Sequence, residues 1–352
     1  MEVPGGFWTD EGSNLRRAVT VPAVALCAGG LAAGVPMWLP AALARDLLRA
    51  PRRLPFVRVA SFALVWSWLE CIGVATSGAL WVLGRSDRPD AHYALQRWWV
   101  ARLLDGLRVL CNVQIRVEGL DALTPGPVVV CSRHVSHADA LLPAWLLGPA
   151  GMRPRYVMKR ELLVDPCLDI VGNRLPNHFV ERDADDVEGE LAGMAAIAEG
   201  MTARDAAVIF PEGTLASPAR RERALARIAE TDPARAERLA TLRHLLPPRH
   251  RGTEALLRGA PDADVVLVAH TGFEGLDRLL AAPEHVPLDV PVRVRLERVT
   301  RSEVPGPGGD GFASWLDEAW SAMDAWVDRT LAADAPRNPA IGTEDQETAR
   351  IR

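Results

Sequence analysis

Lysine is almost missing from this chain: of its forty basic residues only Lys159 is not an arginine. A bias towards arginine, alanine and leucine accounts for that shortage, and it singles out the one lysine that survives. Cysteine is sparse as well. Cys27, Cys71, Cys111, Cys131 and Cys167 form no C-x-x-C pair and no metal-finger spacing. An odd, scattered set among apolar neighbours argues against a disulfide framework and reads as reduced, buried thiols in a cytosol-facing protein. Excess positive charge is lacking too. A net charge of -5 supplies no broad basic field, which argues against nucleic acid as a partner. There are no internal repeats.

What the chain has in quantity is apolar side chains: 49% of residues are hydrophobic while 24% are charged. Such an average arises when an apolar segment is joined to an ordinary polar domain, and 352 residues leave room for a substantial core. Two stretches carry the excess. Residues 21–43 contain no charge, and residues 59–83 contain only Glu70. Each is close to the ~20 residues that a spanning helix needs. A secretory signal fits less well, because the first stretch is long for one and a second follows it. Arg45, Arg49, Arg52, Arg53 and Arg58 lie between the stretches, and Arg85, Arg88, Arg97 and Arg102 follow the second. Both groups ask for the cytosol. A re-entrant or interfacial hairpin bent by Pro22, Pro36 and Pro40 meets both demands, and a two-pass anchor is the alternative. Residues 1–88 are therefore expected to anchor the chain at a membrane, with the remainder on the cytoplasmic face.

From residue 89 the pattern becomes α/β. A helix is predicted over 91–110, and 113–117 alternates as a half-buried strand closed by Gly119. Residues 128–131 are a short apolar run of the buried-strand kind. A helix over 141–147, strands over 156–158 and 178–180, a helix over 187–201 and a strand over 206–210 follow. Residues 220–246 predict two solvated helices broken near Thr231-Asp232-Pro233. Strands over 265–269 and 292–296 come next, and then an amphipathic helix over 312–331 that could cover the sheet or lie on lipid. Together they predict one domain over 89–331, with a mixed, mostly parallel sheet flanked by helices. Residues 332–352 are rich in Pro, Thr and charge and are expected to form a disordered tail.

Chemistry concentrates after the 128–131 strand, in Ser132-Arg133-His134-Val135-Ser136-His137-Ala138-Asp139. In open α/β sheets ligand groups collect at the carboxyl ends of strands. A His and an Asp five positions apart on a strand-to-helix turn can come within hydrogen-bond reach. The carboxylate then fixes the imidazole tautomer and leaves the other nitrogen as a base near neutral pH. Taken alone the pair also suits simple helix capping. Phe210-Pro211-Glu212-Gly213-Thr214 also ends a buried strand, and it places a carboxylate where burial is unfavourable without partners or a ligand.

These two blocks resemble the signatures of the glycerolipid acyltransferase family, an Asn-His-x4-Asp type block and a Phe-Pro-Glu-Gly-Thr block. Val157-Met158-Lys159-Arg160-Glu161-Leu162 resembles the family's lysine-bearing strand end, and Phe179-Val180-Glu181-Arg182 its second block. Leu246-Pro247-Pro248-Arg249-His250-Arg251-Gly252 is similar to a loop of the longer lysophosphatidate and lysocardiolipin branch. The resemblance spans roughly residues 90–330. It implies direct transfer of a fatty acyl group from acyl-CoA or acyl-ACP to the hydroxyl of a lysophospholipid such as 1-acylglycerol-3-phosphate, with no cofactor and no metal. His134 would be the general base and Asp139 its orienting partner. Arg133, Lys159, Arg182, Glu212, Gly213, Thr214 and Arg249 would bind substrate. Ser132, Ser136 and Cys131 would be structural. The sequence departs from the pattern at Arg133, where Asn is usual, and at Leu215, where Arg is common. The usual Gly of the second block has no clear counterpart in Leu175-Pro176-Asn177-His178-Phe179. Two rival readings stand beside this one: a membrane-surface metal hydrolase using His134, His137 and Asp139, and a catalytically silent lipid-binding protein. His270 and His178 read as core histidines or as site neighbours. Membrane lipids and the acyl donor are the expected partners, and nothing in the sequence sets an oligomeric state.

Overall fold

The computed structural model describes residues 12–181, 186–277 and 281–334. The chain opens with three helices, α1 (Ser13–Ala33), α2 (Val35–Arg49) and α3 (Pro55–Val82). The first apolar stretch is thus two helices rather than one. The break falls at Gly34, where Pro36 at the start of α2 removes an amide donor from the helical ladder. Asp46 of α2 is buried, and its carboxylate accepts from the first-turn amides of Phe56 and Val57 in α3 at 3.3 and 2.9 Å. Among the described residues α1 and α3 are long and apolar enough to cross a membrane, by length and composition. Much of their surface stays open: Leu26, Trp81 and Val82 are exposed.

Next come α4 (Pro89–Cys111), β1 (Ile115–Glu118), β2 (Val128–Ser132), α5 (Leu142–Leu147), β3 (Arg153–Lys159), α6 (Pro166–Gly172), β4 (His178–Val180), α7 (Val187–Ala198) and β5 (Asp205–Ile209). The chain ends through α8 (Pro218–Thr231), α9 (Pro233–Leu239), α10 (His250–Gly259), β6 (Asp264–Thr271), α11 (Ala282–His285), β7 (Val292–Val299) and α12 (Asp310–Asp334). The seven strands form one sheet in the order β1-β7-β6-β2-β5-β3-β4. All pairings are parallel except β6 with β7. The fold class matches the expectation.

β2 lies mid-sheet and every one of its residues is buried. Its alternation decides which layer each side chain joins. Val128 and Val130 pack with α4 residues such as Leu103 and Leu104. Val129 and Cys131 pack with Leu256 of α10 and Trp320 of α12. Helix α12 covers the sheet, with Phe312, Leu316, Trp320 and Val327 fully buried. Fully burying side chains of this size stabilises by roughly 1.5–3 kcal/mol each.

Three details depart from the sequence reading. Helix α10 starts inside the 246–252 stretch that resembles a loop and continues through residues for which the sequence predicted no element. It buries Thr253 through Leu257 and meets α7 so closely that a Cβ on Gly259 would collide with the Ala195 carbonyl. The helices predicted over 220–246 stop at Leu239, and Asp324 of α12 holds the following loop instead. Its carboxylate accepts from the amides of Arg243, His244 and Leu245 at 2.8–2.9 Å. Helix α12 runs to Asp334, into the start of the expected tail; residues 335–352 of that tail lie outside the described residues.

Candidate active site

The carboxyl ends of β2, β5 and β3 face one cavity of about 2190 Å³, larger than the ~300–1000 Å³ of most small-molecule sites. Its floor is polar. One wall is apolar, with Val24 of α1, Phe62 and Trp66 of α3, and Trp99 and Leu103 of α4 among its lining residues.

His134 leaves β2 at this floor. Its Nδ1 lies 2.7 Å from Asp139 Oδ1. The other carboxylate oxygen, Oδ2, accepts from the amides of Val135 and Ser136 at 2.6 and 2.7 Å. Ser136 Oγ in turn accepts from the amides of Ala138 and Asp139. The five-residue spacing thus closes into a turn that leaves Asp139 fully buried. Burial alone would raise its carboxyl. The hydrogen bond from His134, the neighbouring His270 and the Val135 amide outweigh that and hold it below the usual carboxylate range. An ionised Asp139 only accepts, so His134 carries its proton on Nδ1. That leaves Nε2 of a cavity-lining imidazole as the basic nitrogen. The ring rests on Phe210, with centroids 4.5 Å apart.

Behind Asp139 lies His270, at the end of β6 and fully buried. Its Nε2 donates to the Arg133 carbonyl at 3.0 Å and stands 3.5 Å from Asp139 Oδ2. Burial pushes this imidazole towards its neutral form, against the pull of Asp139. Glu212 braces the opposite side. Its Oε1 accepts from the His134 amide at 2.9 Å and its Oε2 from the Leu246 amide at 3.0 Å. Burial pushes the Glu212 carboxyl up to about 8, despite those two donors and the nearby Arg133 charge. A further bond, from the Ala216 amide to the His134 carbonyl at 2.7 Å, fastens the Phe-Pro-Glu-Gly-Thr turn to the histidine. Gly213 occupies the left-handed region at φ +65, with the Arg249 side chain packed over it. The whole arrangement can accept a proton at Nε2 beside a cleft with an apolar wall.

The family model for acyltransferases matches residues 114–249. That span contains both halves of the turn-and-brace geometry. The part of the chain that holds the site is thus similar to acyltransferases. The chain has the fold of the 1-acyl-sn-glycerophosphate acyltransferase PlsC from Thermotoga maritima. The TM-score is 0.50 at 16% identity, covering 79% of this chain and 98% of that one. No curated protein sequence matches the chain.

Of the expected substrate-binding residues, Lys159, Glu212, Gly213, Thr214 and Arg249 line the cavity together with His134. Arg182 lies outside the described residues. Arg133 is the correction. It does not line the cavity, because its guanidinium is buried and donates to Glu274 Oε1 at 2.7 Å and to the His270 carbonyl. A residue next to a catalytic-type histidine reads as site-facing in sequence, but successive side chains of an extended segment point to opposite faces. The metal reading also loses its support: among the described residues no group of three His, Cys, Asp or Glu is placed to hold an ion. Cys131 is not a poised nucleophile, since burial pushes its thiol up to about 12. Ser132 Oγ is spent on the Arg133 carbonyl. His178 binds Glu190 at 2.8 Å and ties β4 to α7. Glu274 is the member that the sequence reading missed. Only its meeting with Arg133 across 141 residues marks it.

Proposed function

We propose that this chain is an acyltransferase that moves a fatty acyl group from a thioester, acyl-CoA or acyl-ACP, onto the free hydroxyl of a lysophospholipid at a membrane surface. The observation that carries the reading is the His134–Asp139 contact on the floor of a large cleft with an apolar wall. His134 Nε2 removes the hydroxyl proton as the alcohol oxygen attacks the thioester carbonyl, and Asp139 stabilises the imidazolium. The tetrahedral adduct collapses, the C–S bond breaks, and the departing thiolate takes the proton back from His134. An ester and a thiol result, without an acyl-enzyme. Lys159, Gly213, Thr214 and Arg249 line the same cavity as His134 and would bind acceptor or thioester there, while Glu212 holds His134 by its amide. Open apolar faces on α1 and α3 suit a bilayer, and the arginine-rich ends of these helices favour the cytoplasmic leaflet.

Thiol release from oleoyl-CoA in the presence of lysophosphatidate tests this. His134→Ala should lower kcat by about 10² to 10⁴, the usual span of general-base assistance. Asp139→Asn should also lower it, and a chelator should leave the rate intact. Full activity in His134→Ala would refute the assignment.

A further inference from the structure

Above the reaction centre the cavity has a second, cationic wall. Helix α8 has no buried residue, yet one face of it lines the same cavity as His134, through Arg220, Arg223, Ala224, Arg227 and Ile228. The spacing of three and four residues sets the three guanidiniums along one edge. The carboxylates of α8, Glu222 and Glu230, do not line the cavity. Among the described residues none of the three arginines meets a carboxylate, whereas Arg235 further along is neutralised by a two-point contact with Asp317. Of the other carboxylates lining the cavity, Glu181 binds Arg160, Glu190 binds His178, Glu212 binds two amides and Asp165 accepts from the Leu168 amide.

The inner end of this row is tied to the reaction centre. Arg220 Nη1 donates to the Leu215 carbonyl at 3.0 Å. The amide of that same peptide unit, on Ala216, binds the His134 carbonyl. One peptide bond therefore separates the Arg220 guanidinium from the backbone of the proposed base. From there the row runs outward over seven residues of helix, about 10 Å at 1.5 Å per residue, which is longer than one phosphate. Guanidiniums bind phosphate oxygens by paired, charge-assisted hydrogen bonds, and Arg220 has spent only one of its five donors.

We propose that Arg220, Arg223 and Arg227 form the headgroup site of the acyl acceptor. The glycerol phosphate is held on Arg220, and further negative charge on the headgroup is held by the outer pair. This rests on the lysophospholipid reading and names the residues that select an anionic acceptor. The same chemistry would also take the phosphates of a CoA donor, so the test separates acceptor from donor.

Acyl transfer by the full chain in mixed micelles is measured with oleoyl-CoA as donor and either 1-oleoylglycerol-3-phosphate or mono-oleoylglycerol as acceptor. In R223Q/R227Q, KM for the phosphate acceptor should rise about tenfold or more, in line with the loss of charge-assisted contacts. Preference over mono-oleoylglycerol should fall by a similar factor, and KM for oleoyl-CoA should not move. Neither side chain is buried, so the variant should melt with the wild type. R221Q removes a charge from the same helix away from the cavity and should keep the wild-type acceptor KM. An unchanged acceptor KM in R223Q/R227Q, or a rise confined to oleoyl-CoA, overturns the site while leaving the acyl-transfer reading intact. If the wild type acylates neither acceptor, the acyl-transfer reading falls and takes this site with it.

Discussion

Glu212 shows how much one side chain in this site does without touching the proposed reaction. Its two oxygens accept amides from His134 and Leu246, and so join two loops that are 112 residues apart in sequence at their far ends (134 and 246). A glutamine there could satisfy only one amide, because its own NH₂ would face the other N–H. Glu212→Gln should therefore destabilise by about 1–3 kcal/mol, the usual effect of stranding a buried donor, and calorimetry would detect it. The pH dependence follows from the same group. An unfolded glutamate ionises near 4.5 and this one near 8, so between those values the unfolded chain holds fewer protons. Stability from this group is complete below about 4.5 and declines as pH rises towards 8. The wild-type melting temperature should lose ground across that window relative to Glu212→Gln. Parallel profiles would show that Glu212 does not titrate there.

Among the elements, α12 was legible as an amphipathic helix but not in what its polar face does. Its aspartates Asp317, Asp324 and Asp328 lie on that face. In the fold Asp317 holds Arg235, Asp328 meets His244, and Asp324 caps three consecutive amides. Through those contacts α12 shapes the loop that delivers Leu246 to Glu212. Asp324→Ala should speed hydrogen exchange at the Arg243, His244 and Leu245 amides and lower kcat while the sheet keeps its protection. Unaltered exchange at these amides would show that the loop is held by other means. Helix α10 escaped prediction because its first turn carries Arg, His and Gly. Its helicity comes from the buried run Thr253 to Leu257 against α7, a tertiary gain that local propensity does not register.

At the scale of the molecule, the apolar helices are docked on the α/β part of the chain. Arg16 of α1 makes a two-point ion pair with Asp169 of α6 at 2.9 Å, both groups being almost fully buried, and Arg17 adds a contact at 3.1 Å. Trp99 of α4 donates to Glu70 of α3. Arg53 and Arg58, read in sequence as members of a loop seeking the cytosol, bind Asp289 and the Leu110 carbonyl. Asp169→Ala strands a buried guanidinium, which in comparable sites destabilises by about 3–5 kcal/mol. A large drop in the melting temperature of the detergent-solubilised chain is expected, with much of it recovered by the pair Arg16→Met and Asp169→Leu. An unchanged melting temperature in Asp169→Ala would mean that the clamp does not hold α1 to the domain.

The sequence by itself determined the α/β sheet, its strands to within a few residues, and the pairing of His134 with Asp139. Those depend on alternation, burial and a five-residue turn, all of which are local. Only the tertiary structure decided that Arg133 turns inward to Glu274, that His270 stands behind Asp139, and that α8 sets its arginines on the cavity lined by His134. Each of these joins segments far apart in the chain, and which faces meet depends on how separate layers pack around a shared core. No window of neighbouring residues contains that information.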